Sequence, residues 1–286
     1  MESDAYARRQ VLRTAVVIVG AGILAWSNSF SVPFLYDDIR NIAENARALG
    51  LDPESEAPFP SAEAGHSSRP VAQWTFIANY ALGGPDFRGY HAVNLLIHIL
   101  AGLALFGVVR RTLASKSMGD RFGPHATPLA LVAALLWLVH PLQTESVTYV
   151  VHRYESLMGL FFLLMLYCAV RGIESDGRGW LAASVLFCAL GMGTKERMVV
   201  APVMVLLYDR AFVSGTFREA LRQRRFFYLG LAATWAVLAV IVLRATSVPG
   251  GLGFGVTPLE YARIQIPAVV HYLRLVVWPQ PLVLDS

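Results

Sequence analysis

The chain has 286 residues, 55% of them hydrophobic and only 15% charged, with a mean hydropathy of +0.49. Soluble domains carry about 25% charged and about 45–50% apolar residues, so an ordinary soluble protein, a disordered chain and a collagen-like repeat are excluded. The net charge of +4 says less than where the charges fall, and no nucleic-acid partner is expected. Cys168 and Cys188 both lie inside apolar runs, which excludes a disulfide framework and a cysteine metal site.

A bilayer core about 30 Å thick needs about 20 mostly apolar residues per helix, because backbone polar groups cannot be left bare in lipid. Eight runs qualify as candidates: 15–35, 92–109, 128–139, 156–170, 180–194, 198–207, 226–243 and 261–278, the third, fifth and sixth of them short. The expected fold is therefore all-α and polytopic, with about eight transmembrane helices. The first run follows Arg8, Arg9 and Arg13 and reads as an anchor rather than a cleaved signal, since it continues through Val32-Pro33-Phe34-Leu35. With the N-terminus inside and the runs alternating, the inner loops receive 14 basic residues and the outer ones nine. The bias fits the positive-inside rule and is strongest over 218–225.

Between the first and second runs lies an expected outer loop, 36–90. Its stretch 51–68 is rich in Pro, Glu, Ser and Ala and reads as irregular. Residues 71–82, after Arg69-Pro70, predict a short helix at the membrane interface, with Trp74, Phe76 and Tyr80 suited to that depth. The run Gly250-Gly251-Leu252-Gly253-Phe254-Gly255 lacks the strand and the Lys-Ser/Thr of a phosphate loop and reads as a flexible connection.

The ionisable residues gather on the expected outer face. Asp37-Asp38 follows the first run directly. Adjacent carboxylates raise each other's proton affinity, and such a pair suits a general base, with a divalent metal as an open option; the alternative is a solvated helix cap. His91, Asn94 and His98 fall on one helical stripe, either a packed polar seam or, for His91 with an aspartate, part of a zinc site without a closed ligand set. The segment from His140 to Glu155 carries His140, Glu145, His152, Arg153 and Glu155, and a salt bridge would explain Arg153 with Glu155 well. If the segment is helical, Glu145, Tyr149 and His152 share a face. Lys195-Glu196 opens the sixth run, and of 24 basic residues only Lys116 and Lys195 are lysines. Lysine is a common phosphate partner, although an interfacial cap pair would look the same. Seven of the eight runs contain no charged residue, whereas a transporter places such groups at mid-membrane.

Taken together, Phe34-Leu35-Tyr36-Asp37-Asp38-Ile39 with Asn41, Arg69-Pro70, Tyr90-His91 with Asn94 and His98, His140-Pro141, Thr144-Glu145-Ser146-Val147, Arg153 with Glu155, and Lys195-Glu196 followed by Pro202 and Tyr208-Asp209 resemble the C-type integral membrane glycosyltransferases. The pattern is most similar to the transmembrane O-mannosyltransferases that act on cadherins and their bacterial relatives with tetratricopeptide repeats. The resemblance implies a sugar, mannose-like, taken from a polyprenyl-phosphate donor and passed to a hydroxyl of a protein or glycan outside the membrane, with inversion. It implies Asp37 or Asp38 as base, Arg153, Lys195 and Arg69 on the donor phosphate, and His91, Asn94, His140, Glu145, Glu155 and Glu196 as orienting or sugar-binding groups. No cofactor is required by the sequence. The family's membrane part is longer and followed by helical repeats, so the chain reads as one glycosyltransferase-like domain over 1–286, cut short at its C-terminus and without the repeats. The short loops and arginine bias point to a bacterial inner membrane, with a cytoplasmic N-terminus. The rival readings are a transporter or flippase of a lipid-linked or anionic substrate, and a non-catalytic scaffold.

Overall fold

A computed structural model describes residues 2–35, 37–38, 69–244, 257–280 and 282. Most of the loop 36–68 and the glycine-rich stretch 250–255 lie outside these residues. Helix α1 is Glu2–Trp26, α2 Pro70–Gly83, α3 Phe87–Leu113, α4 Ala126–Leu138, α5 Thr144–Thr148 and α6 Arg153–Ser175. They are followed by α7 Arg178–Met192, α8 Ala201–Asp209, α9 Phe217–Gln223, α10 Arg225–Arg244 and α11 Pro258–Val277. The described residues contain no strand, and the polytopic all-α class stands.

Length and composition alone do not reach the expected eight crossings among the described residues. Among the described residues, four helices are long and apolar enough to span a bilayer, Arg9–Ser31, Phe87–Leu113, Val150–Ser175 and Arg225–Arg244, or up to six if two bent pairs each count as one span. Two of the expected eight runs fail this test of length and composition for simple reasons. Helix α7 has 15 residues, about 22 Å at the α-helical rise against a core of about 30 Å, yet it runs back from the Asp176 turn to bring Lys195 onto Glu155 at the start of α6. Helix α11 carries Glu260, Arg263 and Arg274, too many charges for a window that must enter hydrocarbon. The bent pairs are broken at recognisable residues. A 54° bend separates Gly119–Leu138 from Pro141–Thr148, at the dipeptide His140-Pro141, where proline denies the helix a donor. A 98° bend separates Glu196–Ser214 from Phe217–Gln223, at Gly215, whose φ of 73° is left-handed.

Helix α3 is the hub and packs against α6, α4 and α1. Close approach rests on small residues, as expected where no hydrophobic effect separates helix from lipid. Ala126, Ala130 and Ala134 of α4 are buried at i, i+4 and i+8. A Cβ on Gly172 of α6 would stand 2.6 Å from the Leu181 side chain of α7 and force it to shift, and the α6–α7 hairpin closes there through Asp176, with φ of 48°. The outward faces stay apolar: Leu12, Val16 and Leu24 on α1 and Phe226, Leu229 and Leu243 on α10 are exposed, as lipid-facing side chains are.

The polar stripe of α3 runs along this packed interface. His91 Nε2 lies 2.8 Å from the Val32 carbonyl, Asn94 Nδ2 donates to the Val150 carbonyl at 3.3 Å and His98 Nε2 lies 2.8 Å from the Leu138 carbonyl, which also accepts from Trp26 Nε1. Each acceptor sits where a helix ends or breaks, at carbonyls that have lost their i+4 partner. Inside lipid such groups must be answered by the protein, and the stripe answers them.

Candidate active site

The chain between α4 and α6 organises the site. After α5 the backbone becomes extended at Tyr149, then makes a tight turn over Val150–His152 before α6 starts at Arg153. The segment is therefore not one continuous helix. Glu145 and His152 nevertheless meet, at 3.5 Å, and the Tyr149 and His152 rings lie 4.8 Å apart.

The acid pair docks onto this turn. Asp38 is buried; its Oδ2 accepts from Leu35 N–H at 3.0 Å and its Oδ1 from Val151 N–H at 2.6 Å. Asp37 is exposed, and its backbone N–H donates to Tyr149 Oη at 3.2 Å. The two carboxylates are thus in different positions: Asp38 ties the end of α1 to the start of α6, while Asp37 meets solvent. Burial pushes the Asp38 carboxyl above its ordinary range, against the opposing pull of the Leu35, Val151 and Val150 N–H groups and of His91. His91 is also buried, and its Nδ1 has no hydrogen-bond partner among the described residues. A metal between His91 and the aspartates finds little support: among the described residues no three His, Cys, Asp or Glu side chains could hold one, and both Asp38 oxygens already face N–H donors.

Arg153 is placed differently from its expected neighbours. It is fully buried. Nε donates to Asn94 Oδ1 at 2.7 Å, Nη1 to the Thr75 carbonyl at 3.3 Å, and Nη2 to Asn79 Oδ1 and the Tyr90 carbonyl, both at 3.0 Å. Phe76 and Tyr90 lie against the guanidinium, 4.5 and 5.6 Å from ring centroid to Cζ. It makes no ion pair with Glu155. The salt bridge that would have explained both residues is absent among the described residues, because the guanidinium fork has turned inward onto α2 and α3. Phe76, expected at the membrane interface, is buried in this cradle instead, and Asn79 was not singled out in the sequence. The signal for Asn79 is its place with Gln73 and Thr75 in a mostly apolar fourteen-residue helix.

Glu155, two positions further along α6, instead gathers the other cations. It accepts from Lys195 Nζ, and from Arg197 Nη1 at 3.1 Å. Arg69 reaches Glu196 at 3.9 Å and lies over the Tyr154 ring at 5.1 Å. The backbone explains the meeting: Val71 N–H donates to the Gly193 carbonyl at 3.0 Å, which joins the start of α2 to the turn after α7. Asp38 touches Val151 in the turn that leads into α6, and Lys195 touches Glu155 in the first turn of α6. Arg69, Asp37, Asp38, Glu155, Lys195 and Glu196 therefore surround the N-terminus of α6. His140 stands apart, its Nε2 3.0 Å from the Val276 carbonyl of α11 and its Nδ1 accepting from Leu142 N–H. Glu145 is likewise engaged by His152 rather than by the cation group.

This arrangement offers an exposed carboxylate, two half-buried cations (Arg69 and Lys195) with the exposed Arg197, and a tyrosine face at the end of an apolar helix bundle, the parts needed to hold an anion and take a proton. Residues 66–243 match the family model described as dolichyl-phosphate-mannose-protein mannosyltransferase. The chain belongs to that family. Relatives of this mannosyltransferase family include Protein O-mannosyl-transferase tmtc2 of Xenopus laevis, 30% identical over 239 residues, covering 76% of this chain and 27% of that protein. Human Protein O-mannosyl-transferase TMTC4 is 33% identical over 231 residues, 71% of this chain and 30% of that protein. Protein O-mannosyl-transferase F38B6.6 of Caenorhabditis elegans is 29% identical over 209 residues, 70% of this chain and 28% of that protein. The chain thus spans between a quarter and a third of these relatives. No solved structure matches it.

Proposed function

We propose that the chain transfers a mannose-like sugar from a polyprenyl-phosphate donor to a hydroxyl of a protein or glycan acceptor, at the extracytoplasmic face of a bacterial inner membrane, with the N-terminus in the cytoplasm. Family membership supports the reaction class. The arginine-rich loop over 218–225 supports the orientation. The observation that carries the site is the docking of Asp38 on the turn at Val151, beside the cations collected by Glu155.

In the proposed step the acceptor oxygen attacks the anomeric carbon from the face opposite the phosphate. The bond from that carbon to the phosphate oxygen breaks, the electron pair leaves with the lipid phosphate, and configuration inverts. The acceptor's proton goes to the exposed Asp37 carboxylate, which needs only to lie within hydrogen-bond reach. Asp38 acts as a positioning residue that fixes Asp37 against the α6 turn. Lys195, Arg197 and Arg69 offer charge-assisted donors to the departing phosphate, with Glu155 and Glu196 holding them in place. Arg153 supports the site from behind, by joining α2, α3 and α6.

The test is transfer from mannosyl-phosphoryl-polyprenol to a serine- and threonine-containing peptide by protein purified in nanodiscs. Asp37→Asn should abolish transfer while donor binding persists, and Lys195→Gln should raise the donor KM. Full activity in Asp37→Asn would remove the assigned base. A second reading, a flippase for the lipid-linked sugar, draws on the two bent helix pairs, which resemble the broken helices of transporters. It is distinguished by movement of the same lipid across vesicles without an acceptor.

A further inference from the structure

A cavity of about 340 Å³ lies between α1, α3 and α6, within the size range of ligand pockets, about 300–1,000 Å³. Its wall is apolar, with Val11 and Ala15 from α1, Leu100 and Leu103 from α3, and Leu164 from α6. At one end it meets Arg110, Arg111 and Tyr167. Gly107 makes the geometry possible: a Cβ there would stand 2.6 Å from the Tyr167 ring, so the ring lies directly on α3. Arg111 pairs with Glu174 and stacks over Tyr167 at 5.5 Å, and Arg171 Nη1 donates to the Tyr167 hydroxyl. Glu174 is thereby engaged by Arg111. Arg110 makes no hydrogen bond or ion pair among the described residues, although it is half-buried. The rim therefore carries a second, half-buried cation over a greasy slot, beside the Arg111–Glu174 pair and without a direct partner of its own among the described residues.

Its position separates it from the candidate active site. His91 and Arg110 are nineteen residues apart on the same helix, about 28 Å along the axis and close to the roughly 30 Å of a bilayer core. The slot therefore opens to the leaflet opposite the acid pair. We propose that it is a binding site for an anionic glycerophospholipid, one acyl chain lying between α1, α3 and α6 and the phosphate held by Arg110. Charge complementarity favours an anionic over a zwitterionic headgroup, since a choline would bring a second cation to the arginine cluster. A basic recess between helices at one membrane surface is suited to this class of lipid.

Native mass spectrometry of the detergent-purified chain, titrated separately with dioleoyl phosphatidylglycerol, dioleoyl phosphatidylcholine and a polyprenyl phosphate, tests the assignment. Phosphatidylglycerol should be retained about fivefold more tightly than phosphatidylcholine, the effect expected of one basic residue at the headgroup. Arg110→Gln should remove that preference and Arg110→Lys should keep most of it. Ala15→Phe, which fills the slot from α1, should lower retention of both glycerophospholipids. Equal retention of the two by the wild type, an undiminished preference in Arg110→Gln, or unchanged binding in Ala15→Phe would each overturn the proposal. Stronger retention of the polyprenyl phosphate than of phosphatidylglycerol would overturn the choice of lipid.

Discussion

Replacing Arg153 by Met separates a supporting from a ligand-binding role for this residue. The guanidinium makes four hydrogen bonds to protein acceptors and lies against two aromatic rings. The Thr75 and Tyr90 carbonyls belong to helices and keep helical partners, so the groups orphaned by Arg153→Met are Asn79 Oδ1 and Asn94 Oδ1. Each buried acceptor left unanswered costs about 1–3 kcal/mol, hence about 2–6 kcal/mol for the two. Part of this is returned because a buried cation no longer has to be stripped of water, and part is added back by the lost ring contacts. A net loss of about 3 kcal/mol corresponds to about 6–12 °C in Tm for a chain of this size. Arg153→Lys should recover only part of it, because an ammonium lacks the planar fork that reaches α2 and α3 together. The assay is thermal unfolding in detergent, with donor binding measured in parallel. A Tm for Arg153→Met within about 2 °C of the wild type, combined with lost donor binding, would refute the supporting role and make Arg153 a direct phosphate ligand.

Asp38→Ala removes the acceptor for Leu35 and Val151 N–H and should destabilise by about 2–4 kcal/mol, read as a lower Tm and as proteolytic release of the segment joining α1 to the rest. On the opposite side of the bundle, Asp209 is buried and accepts from Ser214, Arg224 and Tyr228, bracing the 98° bend between α8 and α9. Asp209→Ala should cost about 3–5 kcal/mol and Tyr228→Phe about 1.5–3 kcal/mol, measured by the same unfolding assay. Gly172→Ala forces a methyl group against Leu181 and should cost about 1–3 kcal/mol by overpacking, visible in Tm with little change in donor affinity.

The long helices were legible because lipid demands length and apolarity together, and α3, α6 and α10 have both. The crossing count was less legible, since an apolar run does not reveal whether its helix is bent or too short, as α7 and the pair around Pro141 show. In the site, the grouping of acids and cations was readable from their order along the chain. Which partner each chose was not. Arg153 and Glu155 are two positions apart, so on α6 they point in different directions, one into the α2–α3 cradle and the other to Lys195 and Arg197. Asp37 and Asp38 look equivalent in sequence and differ only once Val151 N–H has claimed one of them. The Asp209 brace was hidden because Arg224 and Tyr228 approach it from beyond a reversal of the chain.

The account rests most heavily on Asp37 and the Lys195–Arg197 cluster sharing one outer surface. Single cysteines at positions 37, 197 and 218, in a background lacking Cys168 and Cys188, can be labelled with a membrane-impermeant maleimide in sealed right-side-out vesicles. Asp37→Cys and Arg197→Cys should both react from outside, and Arg218→Cys only after permeabilisation. Labelling of positions 37 and 197 from opposite sides would contradict it.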